Sequence, residues 1–205
     1  MLSTKQNFLF IHVPKTAGNS IQNILQHYSD DEIYCIAAHQ DGVERFDVRS
    51  STYKTKKHST FAEYSHEYGA DKIAQLFTFC CIRNPWDRAV SHYFSPHRGE
   101  IEWNRNDFIE FVNGNVRPLR YYLENNSGNL RTLSELVGAL NFVIRFESLE
   151  SDFAQVCSMV SIPYSGLPHR NQSNKKKFKK YYDDELIEFI KNKFEEEIEL
   201  FGYSF

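Results

Sequence analysis

The sequence has few cysteines and no paired cysteine motif. Its four cysteines, Cys35, Cys80, Cys81 and Cys157, include no CxxC pair and no accompanying histidine cluster. Such a set provides neither a disulfide framework nor a structural zinc site, so no metal site is predicted. Cys80 and Cys81 lie in an apolar run and are expected to be small core residues. We therefore expect a protein of a reducing compartment.

Long apolar runs and a strong excess of one charge are also missing. The 205 residues carry a formal net charge of −3, which disfavours wholesale coating of a nucleic acid. No stretch approaches the roughly 20 apolar residues of a spanning helix, and the polar start is unlike a signal peptide. We therefore expect no nucleic-acid partner, no membrane span and a cytoplasmic location, and the sequence does not indicate an oligomeric state.

The chain is rich in aromatic residues and alternates apolar strands with amphipathic helices. Its 17 Phe and 12 Tyr indicate an ordered protein, and its length suits one domain, residues 1–205. The alternation predicts a three-layer α/β fold with a mainly parallel central sheet flanked by helices. Residues 41–57 and most of 97–135 read as irregular, with one short helix near Asp107–Val112. Strands are predicted at Phe8–Val13, Tyr34–Ala38, Leu76–Ile82 and Asn141–Phe146, and helices after Ser20 and over 61–75, 85–95, 150–160 and 183–200. The helix over 61–75 is expected to start near Ser59 or Thr60 with Glu63 as its capping partner, and a turn at residues 125–129 and a loop over 163–180 are also expected.

The first strand-to-helix connection has the composition of an anion site. Pro14 should end the strand, Gly18 permits a tight turn, and Asn19 or Ser20 can cap the helix. Lys15 lies inside this loop. Backbone N–H groups, the positive end of a helix dipole and an ammonium group together attract an anion, although an ordinary surface loop has the same pattern.

A second anion site is indicated after the strand at residues 76–82. Arg83 follows that strand, and Asn84 and Pro85 are typical of a helix start. Arg88 and Ser91 share a helix face, and an arginine with a hydroxyl suits a phosphate. Since the carboxyl ends of parallel strands form one edge, the two sites suggest a ligand with two separated anionic groups. Alternatively, Arg83 and Arg88 simply pair with carboxylates such as that of Asp87.

The first loop does not match the Walker motif GxxxxGK[ST]. Its lysine precedes its only glycine, and no acidic strand end resembles a Walker B aspartate. A magnesium-dependent kinase is therefore disfavoured, although a kinase-like P-loop protein stays an alternative.

Several segments resemble those of the carbohydrate-type sulfotransferases, the heparan and chondroitin sulfotransferase-like family (sulfotransferase family 2). The loop HVPKTAGNS, residues 12–20, is similar to the family's HxPKTAGTS, with Asn19 where threonine is usual. RNPWDRAVSHY, residues 83–93, resembles RNPxxRxxSxY, and KHSTFAE, residues 57–63, resembles KHxTxxEI. Further similar segments are RFESL at 145–149, LPHRNQS at 167–173, and 183–203. The resemblance covers nearly the whole chain except residues 95–135.

The resemblance implies a P-loop-like fold and sulfuryl transfer from 3′-phosphoadenosine 5′-phosphosulfate (PAPS) to a hydroxyl, by an in-line displacement. It assigns Lys15 to the leaving group and His58 to general base catalysis, with His39 as the rival base. The acceptor would be a glycan or glycolipid. A non-catalytic nucleotide- or glycan-binding module is the alternative from another class. The residues implied to bind PAPS are Pro14, Lys15, Thr16, Ala17, Gly18, Asn19, Ser20, Arg83, Ser91, Asn171 and Ser173.

Overall fold

The fold is centred on a four-stranded sheet. We describe it from a computed structural model, which describes residues 1–40, 43–50, 53–95, 98–124, 131–167 and 178–205, and leaves the side chains of 33–50 undescribed. The spatial order of the strands is β1-β2-β5-β6. These strands are β1 (Leu2–Ser3), β2 (Phe8–Ile11), β5 (Phe77–Ile82) and β6 (Phe142–Arg145).

The sheet is mainly parallel, as the sequence predicts. β2 pairs in parallel with β5, and β5 pairs in parallel with β6, whereas the short edge strand β1 is antiparallel. Parallel strands that are buried on both faces read as continuous apolar runs. For this reason the sequence alone predicts strands at Phe8–Ile11 and at residues 76–82.

Helices cover both faces of the sheet, so the fold has three layers. On one face, Phe8, Phe10 and Phe79 pack against α1 (Gly18–Leu25) and α8 (Leu149–Met159). On the other face, Leu9 and Ile11 of β2, together with side chains of β5 and β6, pack against three helices. These are α2 (Phe61–Tyr68), α6 (Leu119–Leu123) and α7 (Leu133–Gly138).

A further apolar cluster lies among the helices beside the sheet. It is rich in aromatic side chains and includes Trp86, Tyr93 and Phe108. Its helices are α4 (Pro85–Tyr93), α5 (Arg105–Asn115), α9 (Asp184–Lys193) and α10 (Glu195–Phe201). The helical structure also includes the short helix α3 (Ala70–Ile73) and the 3₁₀ turns Phe146–Ser148 and Phe178–Tyr181.

The secondary structure differs from the expectations in several places, the unpredicted edge strand β1 among them. Residues 43–50, expected to be irregular, form strand β4 (Val43–Ser50), which pairs with β3 (Asp31–Gln40) in a separate two-stranded sheet. The helix expected over 61–75 is divided at Gly69, whose φ is +88°. In the described parts of 97–135, where one helix was expected, three are present: α5, α6 and the beginning of α7. The helix expected over 183–200 is interrupted at Phe194.

Two expectations fall outside the described residues. They are the turn at residues 125–129 and most of the loop that contains Asn171 and Ser173. Within the described ranges, none of the helices is both long enough and apolar enough to span a membrane.

Candidate active site

The loop between β2 and α1 presents backbone donors without a side-chain cap. Helix α1 begins at Gly18 with Ala17 as its N-cap, so the expectation of an Asn19 or Ser20 cap is wrong. Lys15 and Ala17 both have φ of +68°, which is uncommon for residues other than glycine. Among the described residues, no side chain caps the first turn and no acidic residue lies in it. The helix N-terminus therefore offers its positive dipole end and unused donors to an anion.

Only part of this loop is available to a ligand. The N–H of Ser20 donates to the carbonyl of Ala17 at 2.9 Å, so the free donors precede it. The Thr16 side chain is fully buried, and its hydroxyl donates to the carbonyl of Val13 at 2.8 Å. Thr16 can thus contribute its backbone N–H but not its hydroxyl. Pro14, Asn19 and Ser20 are half-buried.

Lys15 is a lysine whose charge is not neutralised by a described acidic partner. Burial and, to a smaller extent, the neighbouring Arg83 together lower the pKa of its ammonium group from 10.5 to about 8. Among the described residues, these two cationic groups share one carboxylate partner, that of Asp87 on Arg83, so a net positive charge remains beside the loop. A bound anion would relieve the repulsion between Lys15 and Arg83, as expected of an anion-binding site.

Arg83 connects the two predicted anion sites. Its guanidinium donates to the carbonyl of Lys15 at 3.0 Å and to the hydroxyl of Ser91 at 3.2 Å. It also pairs with Asp87 at 2.8 Å and lies 4.0 Å from the centre of the Phe146 ring. The alternative expectation, a pair with Asp87, is thus correct for one edge of the guanidinium. The other edge joins the loop after β2 to the helix after β5.

Arg88 does not belong to this site. Its guanidinium is buried and lies 3.4 Å from Glu197, with a further hydrogen bond to the carbonyl of Arg117. It also stacks 5.0 Å from the centre of the Phe194 ring. The expectation that Arg88 and Ser91 form one phosphate-binding face is therefore wrong. Ser91 is contacted instead by Arg83, which lies eight residues earlier in the chain.

His58 lies in the segment that leads into α2, next to the end of β2. This segment ends in the predicted capping box of Thr60 and Glu63, which fixes the start of α2. The His58 side chain is exposed, and its Nδ1 lies 3.1 Å from the carbonyl oxygen of His12. The ring centres of His12 and His58 are 4.3 Å apart. The side chain of His39, the rival base, lies outside the described residues.

The structure thus brings together most of the residues that the sequence selected. Arg83 contacts both Lys15 and Ser91, and His58 contacts the residue at which β2 gives way to the loop. Asn171 and Ser173 lie outside the described residues. The sequence analysis did not identify Phe146, whose ring lies beneath the guanidinium of Arg83. The only indication of its place was that the segment RFESL, residues 145–149, lies at the end of β6, which is parallel to β5, the strand before Arg83.

Glu147 braces the start of α4 and does not face the anion sites. It accepts hydrogen bonds from the backbone N–H of Asn84 at 2.8 Å and from the hydroxyl of Tyr203 at 3.2 Å. In the described part of the chain, no group of three or more His, Cys, Asp or Glu residues is arranged to hold a metal ion.

The chain matches a known protein family and is similar to a solved structure. A family model described as "Sulfotransferase family" matches residues 1–204. Among solved structures, the chain is similar to a sulfotransferase from Alicyclobacillus acidocaldarius, with 17% identity and a TM-score of 0.45. That match covers 97% of this chain and 96% of the other. No curated protein sequence matches the chain.

Proposed function

The chain belongs to the sulfotransferase family and is a sulfuryl-transferring enzyme, and from this premise we propose that it uses PAPS to sulfate a hydroxyl of a carbohydrate acceptor, a glycan or glycolipid. One observation carries the choice of donor. Arg83 joins the Lys15 loop to Ser91, so two anion-binding elements lie at one edge of the sheet. PAPS has a phosphosulfate at one end and a 3′-phosphate at the other, which matches two linked sites. When bound, it would supply the sulfuryl group.

The loop after β2 fits the phosphosulfate end. Its uncapped helix N-terminus and the backbone N–H groups of residues 16–19 can surround an anion. We assign Lys15 to the oxygen that gains negative charge as the leaving group departs. A preorganised cation in a partly dry site stabilises such charge more than water does. The anion itself would raise the pKa of Lys15 and keep its ammonium charged.

Arg83 and Ser91 fit the 3′-phosphate end. The Ser91 hydroxyl is half-buried and already oriented by the guanidinium. A phosphate can accept hydrogen bonds from both groups, and arginine presents its donors in a planar fork that matches phosphate oxygens. The carboxylate of Asp87 then orients the guanidinium from its other edge. We also assign Asn171 and Ser173 to the donor site, on the resemblance of residues 167–173 to the family segment.

His58 is the proposed general base. It would take the proton of the acceptor hydroxyl as the hydroxyl oxygen attacks the sulfur. In support, its side chain is exposed, and its Nδ1 lies 3.1 Å from the carbonyl oxygen of His12, which precedes the loop after β2. A positioned base contributes roughly 10²- to 10⁴-fold to such a reaction.

We further propose that residues 1–205 act as one catalytic domain and that the enzyme works in a reducing compartment, the cytoplasm. In support, Cys80, Cys81 and Cys157 are buried free thiols. Burial raises the pKa of Cys80 to about 12 and that of Cys157 to about 11, which keeps both thiols protonated and unreactive.

A transfer assay tests the proposal. Sulfur-labelled PAPS is incubated with the enzyme, a metal chelator, and separate panels of glycans, glycolipids and non-sugar alcohols. We expect label on a carbohydrate panel with the wild type and none with Lys15→Ala, whereas the surface control Lys191→Ala should behave as wild type. Label only on non-sugar alcohols would contradict the carbohydrate assignment. Binding of PAPS without transfer to any panel would favour a non-catalytic module.

A further inference from the structure

The side chain of Arg83 lies on a short turn that follows a different strand. Its guanidinium carbon is 4.0 Å from the centre of the Phe146 ring. Phe146 begins the 3₁₀ turn after β6, whereas Arg83 follows β5. These two strands are parallel neighbours, and Ile82 pairs with Arg145, so their ends lie side by side. The orientation of the Arg83 side chain therefore depends on where the turn after β6 lies.

The Phe146 ring covers one face of the Arg83 guanidinium, while polar groups contact its edges. Asp87 contacts Nε and one terminal nitrogen, each at 2.8 Å. The other terminal nitrogen donates to the carbonyl of Lys15 and to the hydroxyl of Ser91. An arginine over an aromatic face is held there by the attraction between the cation and the ring electrons. The ring itself packs against the apolar core between the sheet and α8, so it offers the guanidinium a fixed surface.

Glu147, the second residue of the same turn, ties the turn to the backbone next to Arg83. One of its carboxylate oxygens accepts the N–H of Asn84 at 2.8 Å, and the other accepts the hydroxyl of Tyr203 at 3.2 Å. Because Asn84 directly follows Arg83, the first of these bonds fixes the turn relative to the Arg83 backbone. The Glu147 side chain is exposed, so core packing does not explain its place. Its two hydrogen bonds instead indicate a role in aligning the two strand ends.

Tyr203 and the residue after it hold this connection from the other side. Burial and the neighbouring Glu147 raise the pKa of Tyr203, so its hydroxyl stays protonated and donates to the carboxylate. The side-chain amide of Asn84 donates to the carbonyl of Ser204 at 2.9 Å. Residues 203–204 therefore contact both partners of the Glu147–Asn84 hydrogen bond.

We propose that Phe146 and Glu147 are positioning residues that orient Arg83 and thereby set the preference of the donor site for a nucleotide with a 3′-phosphate. Phe146 supports the face of the guanidinium, and Glu147 fixes the turn that carries this ring. Both act through Arg83, and neither is assigned a contact with the nucleotide. This inference rests on the proposed function, because it takes Arg83 and Ser91 as the seat of the 3′-phosphate.

Titration calorimetry with adenosine 3′,5′-bisphosphate and adenosine 5′-phosphate tests the proposal, and the ratio of the two affinities is the measured quantity. We expect Phe146→Leu and Glu147→Ala each to lower this ratio at least about threefold, the size of one cation–π contact or one hydrogen bond. Glu147→Gln should stay within about twofold of wild type, because its amide oxygen still accepts from Asn84. Ser148→Ala is the matched control on the same turn and should behave as wild type, since the Ser148 side chain is exposed and makes no capping hydrogen bond.

Two results of these titrations would overturn the proposal. One is an unchanged ratio in either Phe146→Leu or Glu147→Ala, and the other is an equal loss in Glu147→Gln and Glu147→Ala. A purely structural role would lower the melting temperature and leave the ratio in the folded protein unchanged, so thermal unfolding is measured on each variant. If Glu147→Ala does not fold, Tyr203→Phe replaces it, because this change removes only the hydroxyl that donates to Glu147. If the wild type binds neither nucleotide, the proposed function fails, which is a distinct outcome.

NMR of the Arg83 guanidinium tests the geometry in the enzyme without a nucleotide. Protons held over the face of an aromatic ring resonate upfield, and the Nε–H signal is assigned by its loss in Arg83→Lys. We expect this signal to move downfield in Phe146→Leu and in Glu147→Ala, and to keep its position in Ser148→Ala. An unchanged signal in Phe146→Leu would overturn the proposal, whether or not the enzyme transfers sulfate.

Discussion

Lys15 is the residue whose charge most affects the proposed donor site. Its pKa is lowered to about 8 by burial and by Arg83, so the empty site loses this charge as pH rises through that value. Below about pH 8 the ammonium is charged and can bind an anion. Above it, binding must first return a proton to the lysine, and this cost grows with pH.

We therefore predict that the affinity for adenosine 3′,5′-bisphosphate falls roughly tenfold for each pH unit between about pH 8.5 and about pH 10. Calorimetric titrations at several pH values measure it. In Lys15→Met this decline should disappear, while binding at neutral pH should be roughly 10- to 100-fold weaker, as expected from the loss of a charged hydrogen bond. A wild-type affinity that does not change over this range would contradict the role of Lys15.

His58 should affect the chemical step and not the binding of the donor. We predict that His58→Ala lowers kcat by roughly 10²- to 10⁴-fold, because the acceptor hydroxyl loses its base. The affinity for adenosine 3′,5′-bisphosphate should stay within about threefold of wild type, since the loop donors are unaltered. His66→Ala, an exposed histidine on α2, is the matched control. Near-normal turnover in His58→Ala would rule out its role as base and redirect attention to His39.

At the scale of elements, a buried ion pair fixes the orientation of α4. Arg88 on α4 and Glu197 on α10 are both almost fully buried. Glu197 also accepts the backbone N–H of Leu119, at the start of α6, at 2.6 Å. One carboxylate thus connects three helices. Because Ser91 lies on α4, this network supports the proposed 3′-phosphate site without touching a ligand.

Replacing only Glu197 of the Arg88–Glu197 pair should destabilise the protein more than replacing both residues. We predict that Glu197→Ala lowers the free energy of unfolding by about 3–5 kcal/mol, because Arg88 is left buried without its counter-charge. The double variant Arg88→Met/Glu197→Leu should lose less of the free energy of unfolding, since neither charge then remains buried. Denaturant unfolding measures both, with the exposed Glu199→Ala as control. A double variant less stable than Glu197→Ala would contradict this account.

Local sequence signals predicted helix starts well and helix interruptions poorly. The Thr60–Glu63 capping box and the Asn84–Pro85 start are confirmed, because each depends on residues within one turn of the chain. The break at Phe194 was missed because the apolar spacing continues unchanged through it. The β4 strand was missed because its charged residues, alternating with Val43, Phe46 and Val48, resemble a polar loop.

At the scale of the whole molecule, the parallel sheet explains why much of the site could be predicted. Residues that follow β2 and β5 must lie at the same edge, so the sites of Lys15 and Arg83 were expected at one edge of the sheet, and there Arg83 donates to the carbonyl of Lys15. Contacts made by side chains of distant helices could not be predicted. Arg88 meets Glu197, 109 residues away, and neither position differs from a surface residue by composition alone.

The central claim is a two-ended nucleotide site, and titration calorimetry tests it most directly. The wild type is titrated with adenosine 3′,5′-bisphosphate, adenosine 5′-phosphate and ATP with magnesium, and the first and second titrations are repeated with Ser91→Ala and the exposed control Ser158→Ala. We predict that the bisphosphate binds at least about tenfold more tightly than either other nucleotide, and that Ser91→Ala removes most of this preference while Ser158→Ala keeps it. Equal affinity for both adenosine phosphates, or tighter binding of ATP with magnesium, would contradict the account.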